Sequence, residues 1–204
     1  MRRLVFTLVV AAVLWTVMFS PWTAPRVDFW LMMTLSACTL TLFSLCFRPD
    51  GWRRMNWSVA NVGWGIGIAL LLWIVFWVGD KVASCLFSFA RPQVELIYGM
   101  KSGYSPWTLS VLLLFLIGPA EEIFWRGYVQ RTLSERWTPD VGFVLTTSVY
   151  ALVHAGACNF MLLMAALVAG AVWGALYRLF PRRLSALIVS HALWDAAVFV
   201  WFPI

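Results

Sequence analysis

Seven stretches of this chain are apolar for about the length that a bilayer demands. A helix rises about 1.5 Å per residue, so about 20 residues cross a hydrocarbon core about 30 Å thick. The stretches are Leu4–Ser20, Phe29–Phe47, Val59–Val78, Trp107 to about Arg131, Val141 to about Phe160, Met161–Leu179 and Leu184–Phe202. The fourth is the least regular, because Gly118-Pro119 interrupts it and Glu121, Glu122 and Arg126 follow. Composition agrees. The 204 residues are 62% hydrophobic and 12% charged, against about 45–50% and about 25% in soluble domains. Too little polar surface is available to cover a soluble core, and a disordered chain would be polar rather than apolar. The expected fold is all-α: a polytopic membrane bundle of seven, at most eight, helices forming one integral-membrane domain over residues 1–204.

The longest connection, Gly79–Pro106, contains Cys85-Leu86-Phe87-Ser88-Phe89, too short to span and suited to the interface. Arg2-Arg3 ahead of an apolar run resembles a signal peptide, but the absence of a small-x-small cleavage site favours an uncleaved first helix. Orientation follows from the basic residues. With the N-terminus in the cytoplasm, eleven of the 15 Lys and Arg, from Arg2 to Arg183, fall on the cytoplasmic side and four, Arg26, Lys81, Arg91 and Lys101, on the other. The positive-inside rule prefers that placement. The net charge of +6 is thus topological and implies no nucleic-acid partner.

Trp22, Trp30, Trp52, Trp57, Trp107 and Trp137 are expected to anchor at the interfaces. Gly63, Gly65 and Gly67, and Gly170 with Gly174, fit close helix packing. Cys38, Cys46, Cys85 and Cys158 form no CxxC pair, carry no assigned chemistry, and leave disulfides undecided.

The informative residues are the polar ones inside apolar runs. Glu121, Glu122, Asp195 and both histidines, His154 and His191, lie there. A charge at the bilayer centre costs about 2.5–3.5 kcal/mol on insertion scales, so such groups are functional candidates. His191 and Asp195 stand at i and i+4 and share a helix face, as do Glu122 and Arg126, an arrangement suited to an ion pair. Glu121 is about 100° round the helix from Glu122 and can face elsewhere. Pro119 should loosen the backbone before it. Measured from the expected cytoplasmic ends, Glu121, His154, His191 and Asp195 lie about 12–20 Å deep, in one layer contributed by three helices.

Three ordered patterns result: Glu121-Glu122-Ile-Phe-Trp-Arg126 (EExxxR), Tyr150-Ala-Leu-Val-His154 (aromatic-xxx-His) and His191-Ala-Leu-Trp-Asp195 (HxxxD). Together they resemble the CAAX-protease and bacteriocin-processing (Abi) family, which includes the Rce1-type prenyl-protein endopeptidases. The resemblance covers about residues 107–202, the expected catalytic core. Tyr150 stands where phenylalanine is usual, and Asp195 where Rce1-type members carry Asn. An ionised Asp cannot donate the hydrogen bond an Asn would.

The resemblance implies a glutamic-type intramembrane endopeptidase without a cofactor. Glu121 would deprotonate a water with His154 helping to hold it. His191 and Asp195 would stabilise the oxyanion, and Glu122 with Arg126 would support Glu121. The substrate would be a membrane-anchored protein or peptide cut near a C-terminal tail: a prenylated CAAX protein, a bacteriocin precursor or a sorting tail. The expected location is a prokaryotic inner membrane. Three other readings use the same residues. Two His and one or two carboxylates could ligate zinc in a membrane metallopeptidase, although no HExxH is present. Buried acids and imidazoles could form an ion or proton pathway, or the chain could be a non-catalytic scaffold or immunity protein.

Overall fold

A chain in hydrocarbon must satisfy its backbone internally, so each apolar run closes into a helix. The computed structural model describes residues 1–53 and 55–204. Arg54, counted above among the cytoplasmic basic residues, lies outside the described residues, as do the side chains of Trp52 and Arg53.

Eight helices carry the architecture: α1 (Arg2–Phe19), α2 (Phe29–Phe47), α3 (Val59–Leu86), α4 (Ala90–Gly99), α5 (Pro106–Arg136), α6 (Pro139–Leu152), α7 (Phe160–Leu179) and α8 (Leu184–Trp201). A four-residue helical turn, Asp50–Arg53, precedes α3. All but α4 belong to segments long and apolar enough to cross a membrane, and there is no strand among the described residues. Several starts are fixed by side-chain caps that accept from an otherwise orphaned backbone N–H. Asp28 caps α2, Ser58 caps α3, Thr138 caps α6 and Asn159 caps α7.

The interior belongs to two helices. Within their most apolar windows, 56% of α8 and 50% of α5 is buried inside the protein, against 22% of α3. These two carry five of the six singled-out polar groups, Glu121, Glu122, Arg126, His191 and Asp195, so the charged residues sit where neighbouring helices exclude lipid. Gly118 lets α5 meet α8 closely: a Cβ there would lie 2.7 Å from Ala192 Cα.

The motif helix α5 is not a uniform α-helix. Leu113–Ile117 and Ile123–Gln130 are π-helical and flank an α-helical turn, Gly118–Glu122. Pro119 has no N–H, and its ring opposes the carbonyl four residues earlier, so the preceding turn widens. A third π segment, Ala196–Trp201, begins directly after Asp195. Both carboxylate-bearing stretches therefore adjoin widened turns.

Several expectations need correction. The third span continues to Leu86, so Gly79–Leu86 is helix rather than connection. Asp80 lies on it, buried, with its carboxylate 3.5 Å from Lys81 and 3.8 Å from Arg91. The fifth span stops its α-helix at Leu152 and finishes in a 3-10 turn, Ala155–Ala157, which leaves His154 at the junction. Trp22, Trp57, Trp107 and Trp137 are exposed, but Trp30 is buried at 4% exposure and donates its indole N–H to the Met100 carbonyl. Of Gly63, Gly65 and Gly67 in α3, Gly65 alone meets another helix, at Val189 and Ala186 of α8, while Gly63 and Gly67 face open space. Gly170 and Gly174 do pack closely, against Tyr150 and against Phe143 with Thr147. All four cysteines are free.

Candidate active site

Glu121 and Glu122, adjacent in sequence, point to different helices, as the 100° step requires. Glu121 Oε2 accepts a hydrogen bond from the Tyr150 hydroxyl of α6 at 3.0 Å. Its other oxygen makes no hydrogen bond to the described residues and is not fully buried. Glu122 turns towards α8 and is fully buried. One oxygen, Oε1, accepts from Arg126 Nη1 and from His191 Nδ1, each at 2.8 Å.

Arg126 is 1% exposed and is held through both terminal nitrogens, while its Nε has no hydrogen-bond partner among the described residues. Besides Glu122, its Nη2 donates to the Gly170 carbonyl at 3.2 Å. Its guanidinium lies 5.0 Å from the Tyr150 ring centroid and 5.5 Å from that of Trp173. A cation over two desolvated aromatic faces and paired with a carboxylate is neutralised inside the bundle. Arg126 thereby ties α5 to α6 and α7, and Gly170 makes this possible by letting α7 approach the Tyr150 ring.

His191 lies between two carboxylates. Nδ1 faces Glu122, and Nε2 is 3.4 Å from Asp195 Oδ2. Its ring stacks on Trp173 at 3.9 Å with an interplanar angle of 18°, and the Trp173 indole N–H donates to Ser190 Oγ at 3.1 Å. Glu122 is already the partner of Arg126, so it acts as acceptor and Nδ1 must carry a proton. On the other edge, a bare Nε2 and an ionised Asp195 would be two acceptors facing each other. One proton, on Nε2 or on the carboxyl, would make that 3.4 Å approach a donor–acceptor pair. With its side chain 17% exposed, Asp195 is the most open member of the cluster.

His154 is set apart from His191. Nδ1 lies 2.7 Å from the Tyr150 carbonyl oxygen, and Nε2 accepts from the Trp15 indole N–H at 3.1 Å. It has no direct hydrogen bond to Glu121 among the described residues; Tyr150 bridges them, by its carbonyl on one side and its hydroxyl on the other. Among the described residues no three His, Cys, Asp or Glu side chains gather where a metal ion could sit. With both His154 nitrogens already engaged and His191 clamped by carboxylates, this donor set does not fit an open tetrahedral zinc site.

The structure thus joins Glu121, Glu122, Arg126, Tyr150, His191 and Asp195 into one connected cluster, with His154 attached through Tyr150. Sequence reasoning missed Trp15 and Trp173, which contact the two imidazoles. Both are among the most buried side chains of the protein, but in a chain with fourteen Trp no local signal distinguishes them from interface anchors.

Residues 103–197 match the family described as type II CAAX prenyl endopeptidase, Rce1-like. This segment, a little under half of the chain, is similar to the Rce1-like family. The Rce1-like segment contains all three motifs, and its boundaries exclude α1 to α4. The family is one of proteases, and the seven helices of spanning length make the protein an integral membrane protein. No curated protein and no solved structure matches the chain.

Proposed function

We propose that this protein is an intramembrane endopeptidase of glutamic type that hydrolyses a peptide bond of a membrane-associated protein near its C-terminal tail. The observation that carries this reading is the asymmetry of the two adjacent glutamates. Glu122 is sealed in the bundle at 0% exposure, with Arg126 and His191 on one oxygen and the other shut in without a partner, whereas Glu121, at 7%, has one oxygen on the Tyr150 hydroxyl and a second that is not enclosed. A carboxylate paired with a buried cation and closed to water orients its neighbours; one without an ion pair and with a reachable oxygen can take a proton from water.

In the proposed reaction the free oxygen of Glu121 takes a proton from water as the water oxygen bonds to the scissile carbonyl carbon. The carbonyl electrons move onto oxygen. That oxyanion receives a hydrogen bond from the proton shared by His191 and Asp195, a contribution of about 10²–10³-fold. Collapse re-forms the carbonyl, breaks the C–N bond, and Glu121 returns the proton to the leaving amine. Positioned base catalysis of this kind contributes about 10²–10⁴-fold. His154 supports Glu121 through Tyr150, and no metal takes part. The bundle's walls exclude bulk water, which strengthens each of these interactions. The protein's site is proposed to lie in a prokaryotic inner membrane with the N-terminus cytoplasmic, and candidate substrates are a prenylated CAAX tail, a bacteriocin precursor and a sorting tail.

The test uses purified protein in lipid nanodiscs with membrane-anchored tail peptides. Glu121→Gln should lower cleavage by about 10²–10⁴-fold while the protein stays folded. Undiminished cleavage by that variant would remove Glu121 as the base.

A further inference from the structure

The hydrogen bond between Trp15 and His154 spans 139 residues and crosses the boundary of the Rce1-like segment. It comes from α1, the first helix, at a residue 1% exposed. Chemistry makes it directional. An indole N–H only donates, and a backbone carbonyl only accepts. His154 sits between the two, so Nε2 must offer its lone pair to Trp15 and Nδ1 must carry the proton given to the Tyr150 carbonyl. The contact therefore selects one neutral tautomer.

The surroundings hold that geometry. The Trp15 ring packs edge-on against Trp125 and His154, and Phe19, one turn further along α1, lies against the other part of the imidazole with centroids 5.6 Å apart. Gly156, just past His154, lets α1 approach the 3-10 turn: a Cβ there would lie 3.3 Å from Thr16 Oγ1. No charged side chain contacts the imidazole among the described residues, so the tautomer is set by hydrogen bonding alone. From Trp15 the contacts run on through the His154 ring to the Tyr150 carbonyl, and from the Tyr150 hydroxyl to Glu121 Oε2.

We propose that Trp15 is a positioning residue: its indole N–H fixes His154 as the Nδ1–H tautomer and so holds the Tyr150 end of α6 against Glu121, making the first helix part of the site. This rests on the endopeptidase reading for its consequence in catalysis, but not for its structural content. The protein has two histidines, so labelling them with nitrogen-15 gives two imidazole signals in nanodiscs, assigned with His191→Asn.

The wild type should show His154 protonated at Nδ1 with Nε2 accepting. Replacing Trp15 with benzothienylalanine, which keeps the ring shape and lacks the N–H, should shift the Nε2 resonance and mix the tautomers. It should also lower kcat, by up to about 10²-fold, the scale on which a misplaced group acts, with KM unchanged. Trp15→Phe should do the same, and Phe19→Leu, which removes packing without a donor, should leave the tautomer intact. An unmoved His154 signal in both Trp15 variants overturns the proposal, as does the same change in Phe19→Leu. If the wild type cuts no peptide, the endopeptidase reading fails while the tautomer measurement still decides the role of Trp15.

Discussion

His191 closes on Glu122 and not on Glu121: its Nδ1 lies 2.8 Å from Glu122 Oε1, the same oxygen that receives Arg126. This one oxygen gathers two donors from two helices and fixes the orientation of the imidazole, which leaves Asp195 to meet its other nitrogen. The division of labour between adjacent glutamates follows from that contact.

The His191–Asp195 pair should reveal its proton in a pH profile. When the shared proton leaves, the donor for the oxyanion is lost, so cleavage by the wild type should fall as pH rises through that titration. Asp195→Asn brings a donor that does not titrate. It should keep cleavage within about tenfold and lose that alkaline limb, whereas Asp195→Leu should lose about 10²–10³-fold. Rates of the three proteins across pH check this.

Arg126→Met should strand Glu122. Removing one partner of a buried ion pair costs about 3–5 kcal/mol because the remaining charge stays desolvated, and both side chains here are at most 1% exposed. The double variant Glu122→Gln with Arg126→Met should recover part of that loss. Unfolding midpoints of the single and double variants in detergent make the comparison.

Gly118→Ala should push α5 away from α8. The added Cβ would lie 2.7 Å from Ala192 Cα and 2.8 Å from its N, both backbone atoms that cannot swing away. Overpacking costs about 1–3 kcal/mol, and the displacement falls next to His191, so cleavage should drop further than stability. Gly63→Ala is the control, since nothing lies within 4 Å there. Thermal unfolding and cleavage assays on both variants test the contrast.

Acid should loosen the loop between α2 and α3. The Arg131 guanidinium holds the Asp50 carboxyl below its ordinary value of 3.8, so the contact stabilises the fold above that value and is lost as pH falls below about 4. Asp50 is 45% exposed, and solvent screening limits the contribution to about 1 kcal/mol or less. The stability difference between wild type and Asp50→Asn should therefore shrink between pH 7 and pH 3.5.

The sequence by itself determined the seven crossings, because an apolar run of about 20 residues has no other stable place. It also determined the pairs one turn apart, Glu122 with Arg126 and His191 with Asp195, since helix geometry alone puts them together. It separated Glu121 from Glu122 by their angular step. Only the tertiary structure decided which helix each side chain meets. In a soluble protein a polar face marks the outside of a helix, but here lipid is as apolar as the core, so hydropathy does not say which face turns inward. Hence Gly65 rather than Gly63 or Gly67 touches α8, and Trp30 is interior while Trp22 is not. The pairing of Trp15 with His154, and of Trp173 with His191, likewise depends on packing among distant helices that no local pattern encodes.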